Sequence, residues 1–191
     1  MKLFRLKHKG LSGTPSGEGR ELLNRFFVES LIEYLKTENR EASVQLLDGQ
    51  MPAFLQGNHG KPYFESKELS NIYFSISHTR DFAGIAMNDS EIGFDCENIS
   101  ARNYPKERFE KIANRVFSAC EIRYCFDDEN NYENRFFEIW TAKEAYSKYT
   151  GNGFSEDFRS FSVMDMIGKN IQIGTIDEAS IMYAICTGDA K

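Results

Sequence analysis

WTAKEAYSK, residues 140–148, reads as helix: Trp140, Glu144 and Lys148 recur every fourth residue and share one stripe. A carboxylate and an ammonium on one stripe face the same ligand. The second decisive stretch is EIGFDCEN, residues 91–98, where Ile92 and Phe94 alternate with Gly93 and Asp95 as at the end of a strand. Strand side chains repeat every second residue, so Asp95 and Glu97 point to one side, their Cα atoms roughly 7 Å apart, and Cys96 points away. If the helix packs across that strand, Asp95, Glu97 and Glu144 converge. Two like charges ~4 Å apart repel by about 4 kcal/mol at an effective dielectric near 20, so either one carboxyl keeps its proton or a divalent cation lies between them. Donors that are all oxygen suit magnesium better than zinc, which makes Asp95, Glu97 and Glu144 the expected metal ligands.

At 191 residues and 41% hydrophobic the chain can bury a core as one domain or as two small lobes, and 16 Phe with 9 Tyr make that core aromatic. No run of ~18 apolar residues is present, so no membrane span is expected. The start, MKLFRLKHKG, is basic without the apolar segment of a signal peptide, and a cytoplasmic location is expected. Cys96, Cys120, Cys125 and Cys186 form no CxxC pair and His8, His59 and His78 are scattered, which argues against a zinc site or a disulfide framework. The net charge of -6 argues against nucleic-acid binding. Lys106, Arg108, Lys111 and Arg115 offer a local basic patch, or the solvated face of a helix.

Along the chain, a short strand is expected at residues 3–8, a turn-rich loop at 10–19 and an amphipathic helix from Arg20 to Leu35. Strand-like runs at 72–76, 82–87 and 91–95 form an expected meander, with Ser77 and His78 in its first turn. Ser118-Ala119-Cys120-Glu121 is a capping box, and the long helix carrying residues 140–148 ends at Gly151 and Gly153. Strands follow at about 158–164, 170–176 and 180–187, and FSV at 161–163 echoes FSI at 74–76. A long helix followed by a three-stranded antiparallel meander is therefore expected twice, in an α+β fold.

The order GKPYF (60–64), FSISHT (74–79), GFDCE (93–97) and WTAKEAYSK (140–148) resembles the signature of 4'-phosphopantetheinyl transferases of the surfactin-synthetase-activating (Sfp) type. Each motif alone is weak: Lys61 reads as an ordinary loop lysine, and Glu144 with Lys148 as an exposed ion pair worth about 0.3–0.5 kcal/mol. Four in one order make a specific match. The resemblance implies two similar lobes, 1–97 and 98–191, each a long helix on a three-stranded antiparallel meander, related by a pseudo-twofold axis, with coenzyme A and the acidic site at the seam. It implies transfer of the 4'-phosphopantetheine arm of coenzyme A to a serine of an apo acyl or peptidyl carrier protein, releasing 3',5'-ADP, by a monomer that uses Mg2+. Glu144 is then the expected base and Lys148 the group on the leaving phosphate, with Lys61, Ser77, His78, Lys143 and Arg20 binding coenzyme A. Competing readings are another magnesium-dependent phosphoester enzyme and a non-catalytic module that binds coenzyme A or a carrier protein. Phe94 departs from the pattern, standing where a small aliphatic residue is commoner.

Overall fold

In the computed structural model, which describes residues 1–7, 17–79, 81–100, 104–153, 157–176 and 180–188, two strand–helix–hairpin units follow one another. The first comprises strand β1 (Lys2–Lys7), the long helix α1 (Glu18–Thr37), the short helix α2 (Glu41–Leu47), a small hairpin of β2 (Phe54–Gln56) and β3 (Pro62–Phe64), and the hairpin of β4 (Tyr73–Thr79) and β5 (Phe82–Asn88). The second comprises β6 (Ile92–Asn98), helices α3 (Lys106–Val116), α4 (Ala119–Phe126) and α5 (Tyr132–Thr150), and the hairpin of β7 (Ile171–Ile176) and β8 (Ile181–Thr187). Each unit forms a three-stranded antiparallel sheet, ordered β1-β5-β4 and β6-β8-β7, so the opening strand of each unit pairs with its last.

The α+β architecture with two similar helix-and-sheet halves is the expected one, but neither sheet is a meander. β6 was expected beside β5; instead it pairs throughout with β8, with Phe94 opposite Ile185 and Asp95 opposite Ala184. Both edges of β5 are occupied, by β1 and β4, which leaves β6 no edge there. β5 is buried along its whole length because both of its faces are covered. Ile85 and Met87 join Phe27, Leu31 and Phe74 in the core under α1, while Phe82 and Ala86 join Ile92, Phe94 and Ile185 on the other side. The expected division after residue 97 falls inside β6, Ile92–Asn98. Residues 158–164 do not form the expected strand: Phe158–Ser160 is a single 3-10 turn capped by the Asp157 side chain, and β6 takes that strand's place in the second sheet. The loop expected at 10–19 lies, up to residue 16, outside the described residues.

The helices follow the sequence pattern closely. Phe27 of α1 meets Phe74 edge-on at 5.0 Å and Phe54 at 5.6 Å, as an aromatic core predicts. α4 opens on the capping box, the Ser118 N–H donating to Glu121 Oε2 at 2.7 Å. α5 is buried over most of its surface and stops at Gly151, whose φ of 72° is the left-handed cap that favours glycine. Among the described residues no helix is long and apolar enough to cross a membrane.

Candidate active site

α5 lies directly on β6, and Gly93 is the residue that lets it do so. A β-carbon there would stand 1.9 Å from the Ala145 carbonyl oxygen. Asp95 and Glu97 project from the same side of β6 as Gly93 and meet the predicted stripe of α5. At one end of the stripe the Trp140 indole donates from Nε1 to Glu97 Oε1 at 3.0 Å. At the other the Lys148 ammonium donates to Asp95 Oδ1 at 2.9 Å. Glu144 lies between them on the helix, buried to 9% exposure. Burial first, and then the charge of Asp95, push its carboxyl from 4.5 up to about 7, with Glu97 adding to the rise and Lys148 opposing it.

Asp95 is itself buried. Its Oδ1 also accepts from Ser77 Oγ at 2.8 Å, whereas Oδ2 is buried with no hydrogen-bond partner among the described residues. The Ser75 hydroxyl, two residues earlier on β4, accepts from the Phe94 N–H at 2.9 Å and ties the two sheets edge to edge beneath the site. A cleft of about 280 Å³ opens beside these groups, bounded by Phe74, Ile76, Glu144 and Lys148 on one side and by Lys61 and Pro62 on the other.

The carboxylates do not converge as fully as the sequence suggests. Among the described residues no three His, Cys, Asp or Glu side chains gather at metal-ligand spacing. Lys148 and Trp140, which hold Asp95 and Glu97, stand eight residues apart on α5, about 12 Å along its axis at 1.5 Å per residue. The donor chemistry nevertheless fits a hard divalent cation. An orphaned buried carboxylate oxygen and a neighbouring carboxyl that keeps its proton up to neutral pH are groups whose burial a cation with oxygen preference relieves.

The remaining expected site residues are distributed unevenly. Lys61 lines the cleft, but its ammonium is engaged by the Glu91 carboxylate at 2.5 Å and by the Tyr149 carbonyl at 2.9 Å. It thus pins the loop before β3 to the carbonyl end of α5, where a cation is favoured. Ser77 and His78 were expected together in a turn; both lie within β4, so alternation sends buried Ser77 toward Asp95 and exposed His78 to the opposite face. Lys143 is a correction. It is fully buried on the far side of α5, 3.0 Å from Glu121 Oε2, and donates to the Phe158 and Phe161 carbonyls at 2.6 and 2.7 Å. Arg20 is exposed in the first turn of α1 and does not line the cleft. Glu91, Gly93 and Ser75 were missed as parts of the site; Glu91 and Gly93 stood within the quoted EIGFDCEN, beside the acids it pointed to.

Two strand–helix–hairpin units whose junction carries a strand-end aspartate and glutamate under a Trp/Glu/Lys helix stripe define a two-lobed α+β protein with an acidic site between its halves. The chain belongs to the 4'-phosphopantetheinyl transferase superfamily, whose family model matches residues 91–187. It is 33% identical over 108 residues to the 4'-phosphopantetheinyl transferase psf-1 of Bacillus pumilus, covering 56% of this chain and 42% of the relative. A 4'-phosphopantetheinyl transferase of Bacillus subtilis is 30% identical over 157 residues, covering 78% and 65% of the two chains. The 4'-phosphopantetheinyl transferase Sfp of Bacillus subtilis strain 168 is 30% identical over 138 residues, covering 72% and 58%. The chain spans about half the length of the curated relatives it matches.

Proposed function

We propose that this chain transfers the 4'-phosphopantetheine arm of coenzyme A to a serine of an apo acyl or peptidyl carrier protein. The observation that carries the reading is the pairing of the partnerless Asp95 Oδ2 with a Glu144 carboxyl raised to about 7, beside a cleft. In the reaction the carrier serine oxygen bonds to the phosphorus bearing the pantetheine arm. The pyrophosphate P–O bond breaks and 3',5'-ADP leaves. Glu144 accepts the serine proton, directly or through a bound water. Lys148, one turn further along α5, with its side chain 32% exposed and its ammonium on Asp95, is the group read as stabilising the leaving phosphate. Mg2+ held by Asp95, Glu97 and Glu144 would supply neutralisation of the pyrophosphate.

Phe74, Ile76 and Pro62 give the cleft apolar walls that suit a pantetheine chain or a base, with Lys61 at its edge. The carrier is read as an acidic partner, for which the exposed Arg108, Lys111 and Arg115 on one face of α3 provide complementary charge. The reading is of a monomer acting in the cytoplasm. The test is transfer of a labelled coenzyme A arm to apo-carrier protein with magnesium, comparing wild type with Asp95→Ala and Glu144→Gln. Losses of roughly 10²–10⁴-fold are expected for the Glu144 change. Equal labelling by all three proteins would overturn the proposal.

A further inference from the structure

The tryptophan of the α5 stripe does more than fill core space. Trp140 is the only tryptophan of the chain, and its ring stacks on Phe136 at 6.1 Å and 10°. The opposite edge is polar: Nε1–H is spent on Glu97 Oε1 at 3.0 Å, a charge-assisted hydrogen bond across the junction of α5 and β6. An indole has two side-chain torsions and here one packed face, so this donor is held more rigidly than a lysine or glutamine at the same place. Glu97 is half-buried, one residue before the end of strand β6, with three rotatable bonds between its carboxylate and the backbone. The same helix carries Glu144 one turn beyond Trp140.

The geometry points to Trp140 as a positioning residue for the divalent cation: through its indole N–H it fixes the Glu97 carboxylate relative to Glu144, so that ligands from β6 and α5 are presented as one unit. The inference rests on the proposed magnesium reading of this site and adds the residue that orients one of its ligands. Partners of this kind, which touch a metal ligand and not the metal, commonly account for ten- to hundredfold of metal affinity. The contact also makes the indole a built-in reporter, because any change at the Glu97 carboxylate is felt by its hydrogen-bond donor.

The experiment is titration of magnesium chloride into the protein, with and without coenzyme A, followed by tryptophan fluorescence and by calorimetry. Wild type is expected to change its emission as magnesium binds, and Glu97→Gln, which keeps the indole but loses the charge, to lose that change. Trp140→Phe keeps an aromatic ring against Phe136 and removes the N–H together with the pyrrole part of the indole. It is expected to bind magnesium roughly ten- to a hundredfold more weakly by calorimetry. In transfer assays its kcat at saturating magnesium should stay close to wild type while the magnesium concentration for half-maximal rate rises by the same factor. Equal magnesium affinity in Trp140→Phe and wild type would overturn the inference while leaving the site intact. No magnesium binding by wild type in either condition would overturn the inference together with the reading beneath it.

Discussion

Gly93 lies against the backbone of α5 so closely that a β-carbon on it would stand 1.9 Å from the Ala145 carbonyl oxygen and 2.5 Å from the Tyr149 nitrogen. The obstacle is main chain inside a helix and cannot rotate aside. The contact sets the height of α5 over β6, and with it the reach of Lys148 to Asp95. Gly93→Ala is expected to destabilise the fold by about 3 kcal/mol, the upper range for overpacking. At 2–4 °C per kcal/mol for a chain of this size, the midpoint should fall by roughly 6–12 °C in a thermal melt. A melt identical to wild type would show that α5 does not rest on this residue.

On the other face of β6 the obstacle is a side chain. A β-carbon on Gly84 would meet Phe94 Cζ at 2.5 Å and Cε1 at 2.6 Å, so the ring of Phe94 fits because β5 has a glycine beneath it. This accounts for a phenylalanine where a small aliphatic residue is the commoner choice. Gly84→Ala should cost about 1–3 kcal/mol in wild type and clearly less in a Phe94→Val background. A double-mutant cycle by urea denaturation reads the coupling, and strict additivity would refute it.

What the sequence made legible was local. The Trp140, Glu144 and Lys148 stripe, the Ser118 to Glu121 capping box and the glycine stop of α5 are all set by spacings within a few residues, and the structure keeps them. The pairing of β6 was not legible, because alternation in residues 91–98 announces a strand without naming its neighbour; β8, the neighbour, begins 89 residues after β6 does. Lys143 misled for a related reason. It adjoins Glu144 in sequence, but successive helical residues point about 100° apart, and its partners Glu121, Phe158 and Phe161 lie on other elements. Lys61, expected to bind coenzyme A, lines the cleft, but its engagement by Glu91 and Tyr149 depends on where a loop lands in space.

Lys143 yields a prediction that separates structure from ligand binding. Its ammonium and the Glu121 carboxylate are both fully buried, and Glu121 also accepts from the Ser118 and Val163 N–H groups. Removing the cation leaves an uncompensated buried charge that joins α4, α5 and the segment after residue 157. Lys143→Met is expected to cost roughly 3–5 kcal/mol in urea denaturation. The folded fraction at low denaturant should bind coenzyme A with unchanged affinity. A large loss of affinity with little loss of stability would return Lys143 to the binding site.

Glu144 makes the stability of the metal-free protein depend on pH in a defined direction. Its carboxyl titrates at about 7 when folded, against an ordinary value of 4.5. The folded state therefore holds the proton more tightly than the unfolded chain. The stabilisation is complete below pH 4.5 and is lost as pH rises to about 7, above which both states are ionised. The full change is on the order of 3 kcal/mol. In chelator-treated protein this contribution should lower the melting temperature by roughly 6–12 °C between pH 4.5 and pH 8. Other groups titrate in the same window, so the decisive quantity is the difference from Glu144→Gln, which keeps the shape of the neutral acid and has no proton to lose. Wild type should fall more steeply than the variant across that window, and parallel curves would mean that the carboxyl is not raised. Magnesium added at pH 8 should restore stability to wild type more than to Glu144→Gln, because only the former offers the cation a carboxylate at position 144.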